Sequence, residues 1–132
     1  MSLRNKIIAE FIGTAALLAT VVGSGIMAVN LSQGNSGIAL LANAAATAGI
    51  LYVLISTLAP ISGAHFNPAV SLVMRAHGEL DNRELVSYLI AQLLGAILGV
   101  LIAHAMFEQA LIQPGIRIRT GAPQYLSEAI AS

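Results

Sequence analysis

Three long apolar runs leave this chain few ways to fold. They are Ile7 to about Val29, Ile38 to about Ala59 and Glu84 to about Phe107, and almost no charge interrupts them. At 1.5 Å per residue, roughly 20 residues of this kind carry a helix across a hydrocarbon core of ~30 Å. Composition agrees: 57% of the 132 residues are hydrophobic and 9% are charged. A soluble domain carries about 25% charged residues. Mean hydropathy is +0.82. The chain reads as an all-α integral membrane protein with three spans, its partner surface the lipid bilayer. A signal peptide is the competing reading of the basic start and first run. That run is too long, holds a charge at Glu10 and is followed by two more spans.

The same numbers exclude several functions. Six Lys+Arg balance six Asp+Glu, which leaves no basic face for nucleic acid. Cysteine is absent, so disulfides, thiolate metal sites and a cysteine nucleophile are out. No nucleophile–base pair stands out, and no enzyme activity or cofactor is expected. His65 has no second His, Cys or carboxylate at ligand spacing, so no metal site is predicted.

Between the second and third runs lies Ser62-Gly63-Ala64-His65-Phe66-Asn67-Pro68-Ala69-Val70-Ser71-Leu72. It is too polar at one end and too short at the other to be a span. Asn at an N-cap accepts orphan N–H groups, and Pro is tolerated at the first helical position, where its missing N–H would be unpaired anyway. The stretch therefore predicts a half-helix over 67–75 inside the membrane. Pro60 is expected just past the second span. Ile61 to Phe66 then return to mid-depth as six extended residues reaching at most ~20 Å. Irregular backbone at that depth must be buried in protein or line a wet cavity. The Gly63, Ala64 and His65 carbonyls thus become candidate pore-lining groups. Asn67 becomes a donor at a helix end that carries roughly half a positive charge, which disfavours cations. A plain turn at Asn-Pro is the bland alternative.

Within the spans, Glu10 is expected as a structural acceptor for N–H groups of the returning loop, and Gln92 as a structural hydrogen-bonding residue. Intramembrane carboxylates are also functional candidates. Gly95 and Gly99, Gly13 and the Gly23-Ser24-Gly25 cluster read as packing faces. Arg4, Lys6, Arg75 and Arg83 fall on one side of the spans, and Arg117 and Arg119 on the other. That bias puts the N-terminus in the cytoplasm. Ile8-Ala9-Glu10-Phe11-Ile12-Gly13-Thr14 also lines up with Leu126-Ser127-Glu128-Ala129-Ile130-Ala131-Ser132. Internal repeats are common in transport folds. The division expected is a first repeat over 1–123 and the start of a second over 124–132.

Ser62 to Val70 resembles the first signature of the major intrinsic proteins, the aquaporins and aquaglyceroporins. Ala9-Glu10-Phe11-Ile12-Gly13-Thr14 is similar to their first-span motif, and Tyr88 to Ala96 to their third span. The resemblance implies two inverted repeats, each of three spans plus a half-helix, with two Asn-Pro-Ala motifs meeting at the centre of a pore in each subunit of a homotetramer. It places Asn67 as the pore-centre donor, with Pro68 beginning its helix. Gly63, Ala64 and His65 offer carbonyls to the pore, and Glu10 braces a re-entrant loop. The family's selectivity filter takes a residue twenty positions before the signature Asn, here Thr47. Water- and glycerol-selective members usually have Phe or Trp there. Thr is smaller and polar, which points to a wider pore passing small uncharged polyols or metalloid hydroxides. No second Asn-Pro-Ala occurs in the chain, nor the Arg that follows it in the family, so the expectation is a half-pore missing its second repeat. Two alternatives stand beside this: a half-sized protein pairing as an inverted homodimer, and a secondary transporter.

Overall fold

In the computed structural model, residues 1–113 and 120–131 are described; Arg117, Arg119 and Ser132 lie outside them. The described residues form five helices: α1 (Leu3–Leu31), α2 (Ser36–Ser62), α3 (Pro68–Ala76), α4 (Asn82–Met106) and α5 (Ala122–Ala131). Three of them, α1, α2 and α4, are long and apolar enough to cross a membrane. α3 has nine residues, or about 13 Å of rise, enough for half a crossing.

α1 sits between its neighbours, packing against α2 on one side and α4 on the other, while α3 packs on α4. The α1–α4 seam is made by missing side chains. A Cβ on Gly95 would lie 2.5 Å from the Phe11 carbonyl oxygen, and one on Gly99 would collide with that of Ala15. Both partner positions advance together along the two helices, so α1 and α4 run parallel. Lys6 Nζ meets Glu84 Oε1 at 2.8 Å near both helix starts. Such a partly exposed pair contributes roughly 0–1 kcal/mol. Glu84 also closes a capping box with Asp81 at the start of α4. Arg75 Nε donates to Asn82 Oδ1 at 2.8 Å, which brings Arg4, Lys6, Arg75 and Arg83 to one end of the bundle.

α1 begins at Leu3, ahead of the apolar run, because Ser2 caps it by accepting from the Asn5 N–H. The second span does not stop before Pro60. α2 runs through it to Ser62, and Gly63, with φ +88°, ends the helix by returning its N–H to the Ala59 carbonyl. Pro60 removes one hydrogen bond in the last turn, the kind of loss that membrane helices absorb. The last carbonyl, that of Ser62, gains the Tyr88 hydroxyl at 2.6 Å. The extended return over Ile61 to Phe66 is therefore replaced by a compact turn of the four residues 63–66. In that turn Ala64 and Phe66 have φ of 54° and 49°, left-handed values that non-glycine residues rarely adopt.

Candidate functional site

Glu10 is fully buried two turns into α1, and everything around it is a donor. Its Oε1 accepts from the Ser62 hydroxyl at 2.6 Å and the His65 N–H at 3.0 Å. Its Oε2 accepts from the Phe66 N–H at 2.8 Å and from Gln92 Nε2 at 2.8 Å. Two donors on each oxygen is the pattern of an ionised carboxylate. A buried charge is otherwise costly; here the hydrogen bonds offset its desolvation. In return it holds the backbone of a turn that local sterics would not choose.

A second layer locks the first. Gln92 Nε2 also donates to Ser71 Oγ at 2.9 Å. Ser71 Oγ in turn meets His65 Nδ1 at 3.1 Å. The His65 ring meets Tyr88 edge-to-face, with centroids 5.3 Å apart. The Phe66 ring occupies the space that a side chain on Gly13 would fill. Gly13 lies about 9 Å along α1 from Ile7, where the apolar run begins, and so within a ~30 Å core. The turn is thus anchored inside the apolar span, and α3 runs from there back toward the end that carries Lys6 and Arg75.

α3 begins at that anchor. Asn67, at φ −145° and ψ 127°, is its N-cap, and Pro68 is the first helical residue. Asn67 Oδ1 accepts from the Ala69 N–H at 2.8 Å, and its Nδ2 donates to nothing among the described residues. The carbonyls of Gly63, Ala64 and His65 likewise accept no hydrogen bond among the described residues. Inside the cluster, Thr14 Oγ1 and Gln92 Oε1 are the buried side-chain atoms without a described partner.

Thr47 stands apart from this cluster. It is half-buried on α2, and its hydroxyl donates to the Asn43 carbonyl at 2.8 Å. The structure therefore brings Glu10, Gln92, His65, Ala64 and Gly63 together around the turn that presents Asn67 and Pro68, and leaves Thr47 on a separate helix. Ser71 and Tyr88 carry the cluster too, and sequence reasoning gave neither a role. A signal was present for each. Ser71 is the polar residue that interrupts the apolar run from Pro68 to Met74, and Tyr88 lies one turn before Gln92 on the same face of α4.

The profile of the major intrinsic proteins matches residues 1–131. The chain belongs to this family. It is 48% identical to aquaglyceroporin AqpS of Rhizobium meliloti (strain 1021) over 130 residues, which are 98% of this chain and 55% of that protein. It is 38% identical to aquaporin Z of Brucella melitensis over 102 residues, 77% of this chain and 44% of that protein. To aquaporin NIP1-1 of Zea mays the identity is 38% over 107 residues, 78% of this chain and 36% of that protein. The chain spans about half the length, or less, of these relatives. With a major intrinsic protein in hand, the apolar faces of α1, α2 and α4 are read as an integral membrane protein's, and the half-helix α3 as re-entrant.

Proposed function

We propose that this chain forms one half of a passive channel for water and small uncharged solutes. The observation that carries the proposal is the N-cap of α3. Asn67 uses its oxygen within its own helix and keeps an N–H₂ donor free of any partner among the described residues, beside three carbonyls that likewise have none there. Those carbonyls, from Gly63, Ala64 and His65, accept from a passing solute, and Asn67 donates to it. The positive end of the α3 dipole repels cations at the same point. Glu10, Gln92 and Pro68 act as structural residues that fix this geometry. Thr47 narrows the path less than an aromatic residue would, so the solutes favoured are polyols and metalloid hydroxides. The name of the Rhizobium relative, an aquaglyceroporin, supports that choice.

A complete pore on this reading needs a second repeat, one that begins near Gln124 and supplies the opposing half-helix, and it assembles as a homotetramer. The N-terminus is cytoplasmic and the membrane is the cell (inner) membrane, an orientation supported by the four cations at one end of the bundle. The test is stopped-flow light scattering on vesicles containing the protein expressed from its complete gene. Glycerol and water should both equilibrate faster than in empty vesicles, with no ion current across a planar bilayer. Water flux without glycerol flux overturns the solute class, and neither flux overturns the channel.

A further inference from the structure

The Glu10 cluster leaves unused a pair of polar residues at the opposite end of the bundle. Ser24 of α1 donates its hydroxyl to Asn43 Oδ1 of α2 at 2.7 Å. The backbone oxygen of Asn43 takes the Thr47 hydroxyl proton at 2.8 Å. Of these two bonds, the one from Ser24 orients the side-chain amide of Asn43. What remains is Nδ2, with no partner among the described residues. It lies over Gly25: a Cβ built there would stand 3.6 Å away. Gly25 and Asn43 both border a cavity of about 500 Å³ between α1 and α2, together with Ser36 and Ala39. That volume is in the range of small-molecule pockets.

Asn43 and Thr47 are four residues apart, on one face of α2. The proton of Thr47 is already given, so Thr47 offers a solute its oxygen and its methyl group. Asn43 offers a fixed N–H. We propose that Asn43 is a specificity-determining residue, donating to an oxygen of a neutral, multiply hydroxylated solute one helical turn before that solute reaches Thr47. This rests on the channel reading above. Side chains at i and i+4 are neighbours on a helix surface, with Cβ atoms about 5–6 Å apart, so hydroxyls spaced along one carbon skeleton can meet both. The pair thus replaces hydration that a polyol must give up, and does little for water.

The experiment compares glycerol and water flux in vesicles holding the protein from its complete gene, with Asn43→Leu and Ser24→Ala. Asn43→Leu keeps the branching at Cγ and removes the donor; the glycerol-to-water flux ratio should fall about five- to tenfold, the value of one hydrogen bond. Ser24→Ala frees the amide to turn and should lower the ratio about two- to threefold. A ratio within twofold of the parent in Asn43→Leu overturns the proposal. A second measurement needs no flux. The 132 residues hold no cysteine, so with any cysteine elsewhere in the full-length protein changed to serine, Asn43→Cys can be labelled with a water-soluble thiol reagent. Reaction slowed by glycerol supports the role of Asn43; an unreactive thiol, or one that glycerol does not protect, overturns it. A parent that moves no solute fails the channel reading, and the labelling still decides the role of Asn43.

Discussion

Phe66 lays its ring against the bare Cα of Gly13, and one turn earlier on the same helix Glu10 receives the Phe66 backbone N–H at 2.8 Å. The two contacts explain how a bulky residue is held at φ 49°. Adding even a methyl group at Gly13 displaces the ring. Gly13→Ala is expected to destabilise the protein by about 1–3 kcal/mol, the range of core overpacking. Thermal unfolding in detergent should show a clearly lower midpoint; an unchanged one would mean that the ring has somewhere else to go.

Glu10→Gln tests the charge without changing the shape. One oxygen becomes an N–H₂ group that faces two incoming donors. Each buried donor left unmet costs about 1–3 kcal/mol. A loss of roughly 3 kcal/mol or more is expected, with faster proteolysis at the 63–66 turn. If the variant unfolds like the parent, the carboxylate is not what holds the turn.

Gly99→Ala tests the seam between α1 and α4. The new methyl group would meet the Ala15 carbonyl oxygen, a backbone atom that has no rotamer to yield. The helices must separate, at a cost of about 1–3 kcal/mol for the overpacked side chain and more if the seam opens along its length. By comparison, Gly49 has open space around it. Gly49→Ala should therefore be neutral or mildly stabilising, by up to ~1 kcal/mol, because Ala is the better helix former. Equal behaviour of the two variants in a detergent melt would contradict this seam.

Thr47→Phe tests the proposed constriction. It puts an aromatic ring where the proposal has an open, polar passage. Glycerol flux should fall at least tenfold relative to water in the vesicle assay. A glycerol-to-water ratio that stays at the parent value would remove Thr47 from the path.

Local features were legible in the sequence because their partners are close along the chain. Asn67 bonds Ala69, two residues on, and Pro68 follows from the same turn of helix. Glu10 was legible for a different reason. A carboxylate inside an apolar run must find donors, and the nearby irregular backbone had donors to give. Which donors could not be read, since the His65 and Phe66 N–H groups reach Glu10 across 55 and 56 residues. Pro60 misleads for the same reason. Its local meaning is a helix stop, and the helix passes it to Ser62, whose carbonyl takes the hydroxyl of Tyr88, 26 residues beyond Ser62. The left-handed turn at Ala64 and Phe66 runs against their intrinsic preference, and only the surrounding contacts account for it. Thr47 came from resemblance rather than from residue chemistry, and its bond to Asn43 belongs to the three-dimensional structure.

The shell around Glu10 has a consequence for the order of synthesis. Glu10 enters the bilayer with α1, while Gln92, which completes its coordination, lies 82 residues further on. Ser62 and the turn reach it earlier, but Tyr88 and Gln92 arrive only with α4. Until the ribosome has delivered that helix, the carboxylate is short of a donor and the turn has only α1 to lean on. α3 packs on α4, so it is expected to settle fully only once α4 has emerged. A ribosome stalled before Tyr88 should hold α3 still open to an aqueous probe, and one stalled past Met106 should not.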